Sequence, residues 1–181
     1  GQVRIYQYRQ YILADMSNNY HYTSRTQNTI QLLPLIITAN NIEPVPDKYY
    51  WTQLGFDIDG EKVSDNSGKS VSLVDSTDGL VVAIGAPYND GNDNSSGHVR
   101  IYQYRQFTLD MSGNYHYSSR TSTTKPVILT ANNTTRPDIN TYYWTQIGFD
   151  IDGEAANDYL GETVSLVDSS ADGLVVAIGA P

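Results

Sequence analysis

The chain has 181 residues, 39% of them hydrophobic, and carries a net charge of −9 with no cysteine. That length suffices for one ordinary domain with a real core. The acidic balance, with only eleven scattered Lys and Arg, excludes a nucleic-acid surface, and the absence of cysteine excludes disulfides, thiolate metal sites and a cysteine nucleophile.

In chain order, the predicted elements are strands. In VRIYQYRQ from Val3, Val3 and Ile5 point one way and Arg4, Tyr6 and Tyr8 the other, a period of two. An Asn/Thr-rich arm follows, containing NYHYTSR, and then YYWTQLGFDI at 49–58 reads as a strand. SVSLV alternates, with Val71 and Leu73 on one face, and LVVAIGAP at 80–87 is a short Val/Ile-rich run bounded by Gly and Pro. The latter predicts a buried central strand. The turn Asp75-Ser76-Thr77-Asp78-Gly79 joins the two as a hairpin. After an Asn/Gly loop come HVRIYQY at 98–104, a second arm with NYHYSSR and PVILT, YYWTQIGFDI at 142–151, and again TVSLV and LVVAIGAP. No segment longer than ten residues has a helical period, and none has 18 consecutive apolar residues. The predicted class is all-β, without a membrane span.

The chain repeats itself. GQVRIYQYRQ at 1–10 recurs as GHVRIYQYRQ at 97–106, WTQLGFDIDGE at 51–61 as WTQIGFDIDGE at 144–154, and DMSNNYHYTSRT at 15–26 as DMSGNYHYSSRT at 110–121. A unit of roughly 93–96 residues therefore occurs about twice, out of phase with the ends. The order of strands predicts the second half of a unit at 1–61 with an insert at about 11–48, a complete unit at 62–154 with an insert at about 107–141, and the first half of another at 155–181. Two readings of the ends follow: a cut through a longer array, which is the expectation, or complementary edges that join molecule to molecule. Secretion would require a signal upstream of Gly1.

The repeated motifs resemble the FG-GAP type of β-propeller repeat found in the head of integrin α subunits, in its secreted bacterial and algal form. Trp51, Gln53, Gly55, Asp57 to Glu61, Ser67, Gly68, Ser70, Asp78, Gly79, Val82 to Pro87, Gly97, Val99, Arg100 and Tyr102 carry the resemblance. In the second copy Trp144, Gly148, Asp150 to Glu154, Gly161, Asp172, Gly173 and Val176 to Pro181 carry it. It implies propeller blades of four antiparallel strands, each with a long hairpin insert between the third and fourth strands, or the same blades stacked as an open filament. Two features depart from the family. The inserts nearly double the unit, and the short DSTDG turn stands where integrins have an Asp-rich calcium loop.

Several constellations could carry chemistry. Asp57, Asp59 and Glu61, with Asp150, Asp152 and Glu154, set carboxylates at alternate positions, which on a strand shares one face and suits calcium. The competing reading makes Asp59-Gly60 a turn whose carboxylates cap backbone amides. Asp90, Asn92 and Asn94 share the spacing that begins many calcium loops, but without the glutamate that completes them; the competing reading is a polar loop between strands. No cofactor is required, and calcium is the single candidate ion. Asn94, Asn132 and Asn133 begin glycosylation sequons in predicted loops. Tyr20, Tyr22, Tyr115 and Tyr117 form alternating aromatic pairs in the arms, either cross-strand packing or an interface. Among the histidines, His21 and His116 are repeat equivalents, His98 replaces Gln2, and no catalytic signature is present. The expectation is therefore no enzyme. Instead the sequence predicts a secreted or cell-surface structural or adhesive repeat protein, assembling with neighbouring repeats, further copies of itself, cell-surface proteins or glycans. The alternatives are a glycan-binding module and a filament subunit.

Overall fold

A computed structural model describes residues 1–13, 20–24, 27–32, 47–109, 115–118, 125–126, 142–169 and 173–181; side chains are described for 1–10, 47–106, 142–169 and 173–181. Its strands are β1 (Gln2–Val3), β2 (Tyr6–Leu13), β3 (Tyr20–Ser24), β4 (Gln27–Leu32), β5 (Tyr49–Gln53), β6 (Ile58–Asp59), β7 (Ser70–Ser76), β8 (Gly79–Ala86), β9 (His98–Leu109), β10 (Tyr115–Ser118), β11 (Lys125–Pro126), β12 (Tyr142–Gln146), β13 (Ile151–Asp152), β14 (Thr163–Ser169) and β15 (Gly173–Gly179). The chain is all-β: there is no helix among the described residues, and the sheets are antiparallel and open.

Two compact units are formed. Arg4–Phe56 is one; Gly1–Val3 with Asp57–Pro181 is the other. The smaller unit is a four-stranded sheet in the order β4-β3-β2-β5. Gln10 pairs with both Thr23 and Tyr49, so β3 and β5 lie on opposite edges of β2.

The larger unit is built on the meander β7-β8-β9, with β12 and β13 both on the far edge of β9. Gln103 pairs with Val81 on one side and Thr145 on the other, which fixes that order. The β7–β8 turn has two residues, and Ser76 closes it: its hydroxyl donates to the Gly79 carbonyl and accepts from the Asp78 amide. The expected central strand is as buried as the sequence implied, with Val81, Val82 and Ala83 fully enclosed. YYWTQIGFDI, expected as one strand, is instead interrupted. Between the pairs Gln146↔Tyr102 and Ile151↔Val99, four residues stand opposite two. Gly148, at φ 73°, takes the bend, and the Ile147 amide stays tied to the Ile101 carbonyl at 2.8 Å.

The β14–β15 hairpin packs face to face on this meander. Val81, Ala83 and Val99 meet Leu166 in one core, flanked by Val74, Ile101 and Ile147 from the meander and Val164, Val176 and Ile178 from the hairpin. Because side chains alternate across a strand, each sheet presents one apolar row to the other. Polar pins register the contact: the Ser70 hydroxyl donates to the Gly161 carbonyl at 2.6 Å, and the Leu166 amide donates to Ser72 Oγ at 2.9 Å. The backbone repeats as the sequence does. Gly68 and Gly161 have φ 88° and 95°, and Asn66 and Tyr159 have 54° and 52°.

Candidate functional site

A polar cluster forms where the two DIDGE copies come together in the larger unit. The break after Gln146 brings Asp150 beside Arg100, because the ladder resumes at Ile151↔Val99. Arg100 clasps Asp150 with two hydrogen bonds, Nε to Oδ1 at 2.9 Å and Nη2 to Oδ2 at 2.6 Å. The same Nη2 reaches Glu61 Oε1 at 2.5 Å. Gln146 donates to Asp150 Oδ1 at 2.6 Å. Asn89, fully buried, donates to Asp65 Oδ2 at 2.7 Å and to Glu61 Oε2 at 3.3 Å. Glu61 closes the DIDGE motif of the first copy and Asp150 opens that of the second, so one guanidinium bridges consecutive repeats.

The electrostatics follow from that geometry. Its side-chain hydrogen bond to Arg100 holds Asp150 below the ordinary carboxylate range, and Gln146 adds to the effect. Arg100 does the same to Glu61. Burial works against the Arg100 charge, but the bonds to Asp150 and Glu61 outweigh it and raise its pKa further. His98, buried beside the cluster, moves down: desolvation is the main cause and the Arg100 charge the next. A neutral imidazole, 3.9 Å from Asp150 Oδ2, makes no ion pair there at neutral pH.

Stability should therefore fall in two stages on acidification. A depressed pKa means that the unfolded chain binds the proton first, so its contribution is present above the unfolded value and lost below it. His98 begins the loss as pH drops below its ordinary 6.5, and Glu61 and Asp150 continue it below 4.5 and 3.8. Urea unfolding across this range should show the first decline in wild type and its absence in His98→Gln. A flat profile from pH 7 to 5 in wild type would contradict this assignment.

His98, Asp150 and Asp152 place a ligand atom each within 4.8 Å of one another, the one such group among the described residues. This donor set does not match calcium, which takes six to eight oxygens, and Asp150 already shares both oxygens with a guanidinium. Asp57 accepts from Gln2 Nε2 at 2.5 Å, while Asp59 and Glu154 are exposed. The three carboxylates of each copy do not share one strand face, since β6 and β13 are two residues long and Glu61 and Glu154 lie beyond them. In the loop after Asn89, Asp90 Oδ1 accepts the Ser95 amide, Asn92 donates to the Gly153 carbonyl, and Asn94 Oδ1 accepts from the Ser95 hydroxyl. The loop is also tied to the next repeat: the amides of Asn157, Tyr159 and Leu160 donate to the carbonyls of Asn94, Ser95 and Ser96. Asn94 is exposed; Asn132 and Asn133 lie outside the described residues. Tyr20, Tyr22, Tyr115 and Tyr117 lie on β3 and β10, and their side chains are outside the description.

Arg100 was not singled out as a site from the sequence; its signal was the arginine shared by both VRIYQY copies. The alternating tyrosines of those copies, read from the sequence as either cross-strand packing or a sugar-stacking or contact surface, belong to a duplicated aromatic ladder. Tyr8 stacks on Tyr49 and lies against Trp51, with centroids 5.3 Å apart in both pairs, and Tyr104 repeats this with Tyr142 and Trp144 at 5.0 Å. Tyr8, Tyr49 and Trp51 are about half exposed. The chain matches no family model, no curated protein and no solved structure.

Proposed function

We propose that this chain is an extracellular structural and adhesive repeat protein whose units stack as β-propeller blades, with the inserts serving as contact arms. The observation that carries the reading is the Arg100 clasp. Arg100 joins Glu61 of one repeat to Asp150 of the next, a geometry suited to holding consecutive repeats together. Face-to-face packing of β14–β15 on the meander supports the blade arrangement. Such a scaffold works by presenting surface, so particles coated with the protein should adhere to cells or matrix. Shortening both arms should cut adhesion about tenfold, equivalent to about 1.4 kcal/mol of binding, with the melting temperature preserved. Unchanged adhesion in the arm-shortened protein would overturn the reading.

A glycan-binding role is the second reading, favoured by the exposed Tyr8–Tyr49–Trp51 ladder. Flat rings held rigidly by cross-strand packing can stack on sugar faces. Retention on a polysaccharide column that Trp51→Ala abolishes would support it; passage of the wild-type chain without delay would oppose it.

A further inference from the structure

We propose that His98, Asp150 and Asp152 bind one divalent transition ion of the zinc class, with water completing its coordination. All three residues lie in the larger unit, and the site belongs to the second copy of the repeat alone. It goes beyond the scaffold reading and stands without it.

The two copies of the strand, GQVRIYQYRQ and GHVRIYQYRQ, differ at one position, Gln2 against His98. In both copies that position meets the acids of DIDGE. Gln2 pairs with Asp59 across the ladder, and His98 pairs with Asp152 in the same way. Residues directly opposed on two strands bring their side chains together. In the first copy the Gln2 amide donates to Asp57 Oδ2, which satisfies both groups. The imidazole does not repeat that bond. Its Nδ1 stands 3.9 Å from Asp150 Oδ2, beyond hydrogen-bond reach, and the ring makes no hydrogen bond among the described residues. His98 is nevertheless only 5% exposed. A buried polar ring without a partner is costly. An ion held between this nitrogen and the two carboxylates supplies the partner.

Asp150 is arranged to be a ligand. Its Oδ1 accepts from both Arg100 Nε and Gln146 Nε2, which occupies its lone pairs. Its Oδ2 accepts from Arg100 Nη2, leaving one lone pair, and this is the oxygen nearest His98. Hydrogen bonds of this kind fix the orientation of a ligating carboxylate. Asp152 is exposed, and its carboxylate makes no hydrogen bond among the described residues, so it can swing to close on an ion. Gly91 leaves it room, since a Cβ there would lie 3.2 Å from Asp152 Oδ1. Ligand atoms in a zinc tetrahedron stand about 3.4 Å apart, so the His98–Asp150 gap needs to close by only about 0.5 Å. Charge agrees with geometry. Asp150, Asp152 and Glu61 set three negative charges against the one positive charge of Arg100, and a divalent ion cancels the surplus. The donor set selects the ion. One imidazole and two carboxylates fall short of the six to eight oxygens of calcium, but suit zinc, which takes three protein ligands and a water.

The test is calorimetric titration of the metal-stripped chain with Zn²⁺ alone, beside two variants. His98→Gln gives the second copy the residue of the first, and Asp152→Asn changes an exposed ligand. Circular dichroism confirms beforehand that both are folded. The wild-type chain should bind one equivalent of Zn²⁺ at this site, and both variants should bind it at least about tenfold more weakly. Zn²⁺ should raise the melting temperature of the wild type and leave those of the variants unchanged. Co²⁺ in its place should give the visible absorption of a tetrahedral site, absent from His98→Gln. Equimolar Ca²⁺ or Mg²⁺ should not displace the bound ion. A wild-type chain that binds no Zn²⁺, variants that bind it as wild type does, or displacement by equimolar Ca²⁺ overturns the proposal.

Discussion

Arg100→Ala is expected to lower the unfolding free energy of the larger unit by about 2–3 kcal/mol, below the ~3–5 kcal/mol for breaking a fully buried ion pair. The discount reflects the partners' solvation: the side chains of Asp150 and Glu61 are 27% and 39% exposed, whereas that of Arg100 is 11% exposed. Removing the guanidinium leaves two carboxylates near one another with their main donor gone, and Gln146 and Asn89 are the side chains that remain to them. Arg100→Lys should recover only part of the loss, because an ammonium cannot span both oxygens of Asp150 and still reach Glu61. Urea titrations of the three proteins measure this directly. Equal midpoints for wild type and Arg100→Ala would remove the clasp from the account.

Gly85→Ala should be at least as damaging. A Cβ on Gly85 would run into the Gly161 carbonyl oxygen and the Ser70 hydroxyl that donates to it. From the other side, a Cβ on Gly161 would lie 2.7 Å from the His98 carbonyl oxygen and 3.1 Å from Gly85 Cα. Backbone meets backbone where the meander and the next repeat touch, and neither can yield as a side chain tip would. The cost is expected to reach about 3 kcal/mol, the upper end of overpacking, and to lower the melting temperature by about 6–12 °C at this size. Gly148→Ala provides the control. Its Cβ meets nothing within 4 Å, so only the strain of a positive φ remains, about 1–2 kcal/mol. Calorimetry that ranks Gly148→Ala as the more damaging of the two would contradict the packing described here.

The strand class was legible because the signals were local. An unbroken Val/Ile run between Gly and Pro became the buried β8, and alternation in VRIYQY put Val3 and Ile5 inside and Tyr8 outside. The turn after Ser76 followed from Asp-Gly chemistry. What the local pattern could not supply was the neighbour. Leu73 and Leu166 sit in the same VSLV sequence, yet one is half exposed and the other buried, because only one has a sheet packed over it among the described residues. The carboxylates of DIDGE were placed on one strand face by their spacing. A bulge of four residues against two, and the meeting of two repeats, redistributed them among Gln2, Arg100 and solvent. Arg100 was not read as a site for the same reason: an arginine on an alternating strand carries no local mark of the two acids that converge on it.

The Arg100–Glu61–Asp150 cluster holds one repeat to the next. A double-mutant cycle between Arg100→Ala and Glu61→Ala, read as unfolding free energy at low salt, tests it most directly, since these two residues belong to consecutive repeats. The account predicts that the two losses are not additive, with a favourable coupling of about 0.5–1.5 kcal/mol, the range for neighbours in one ion-pair network with a partly solvated member. Strict additivity, with a coupling of about zero within error, would contradict it.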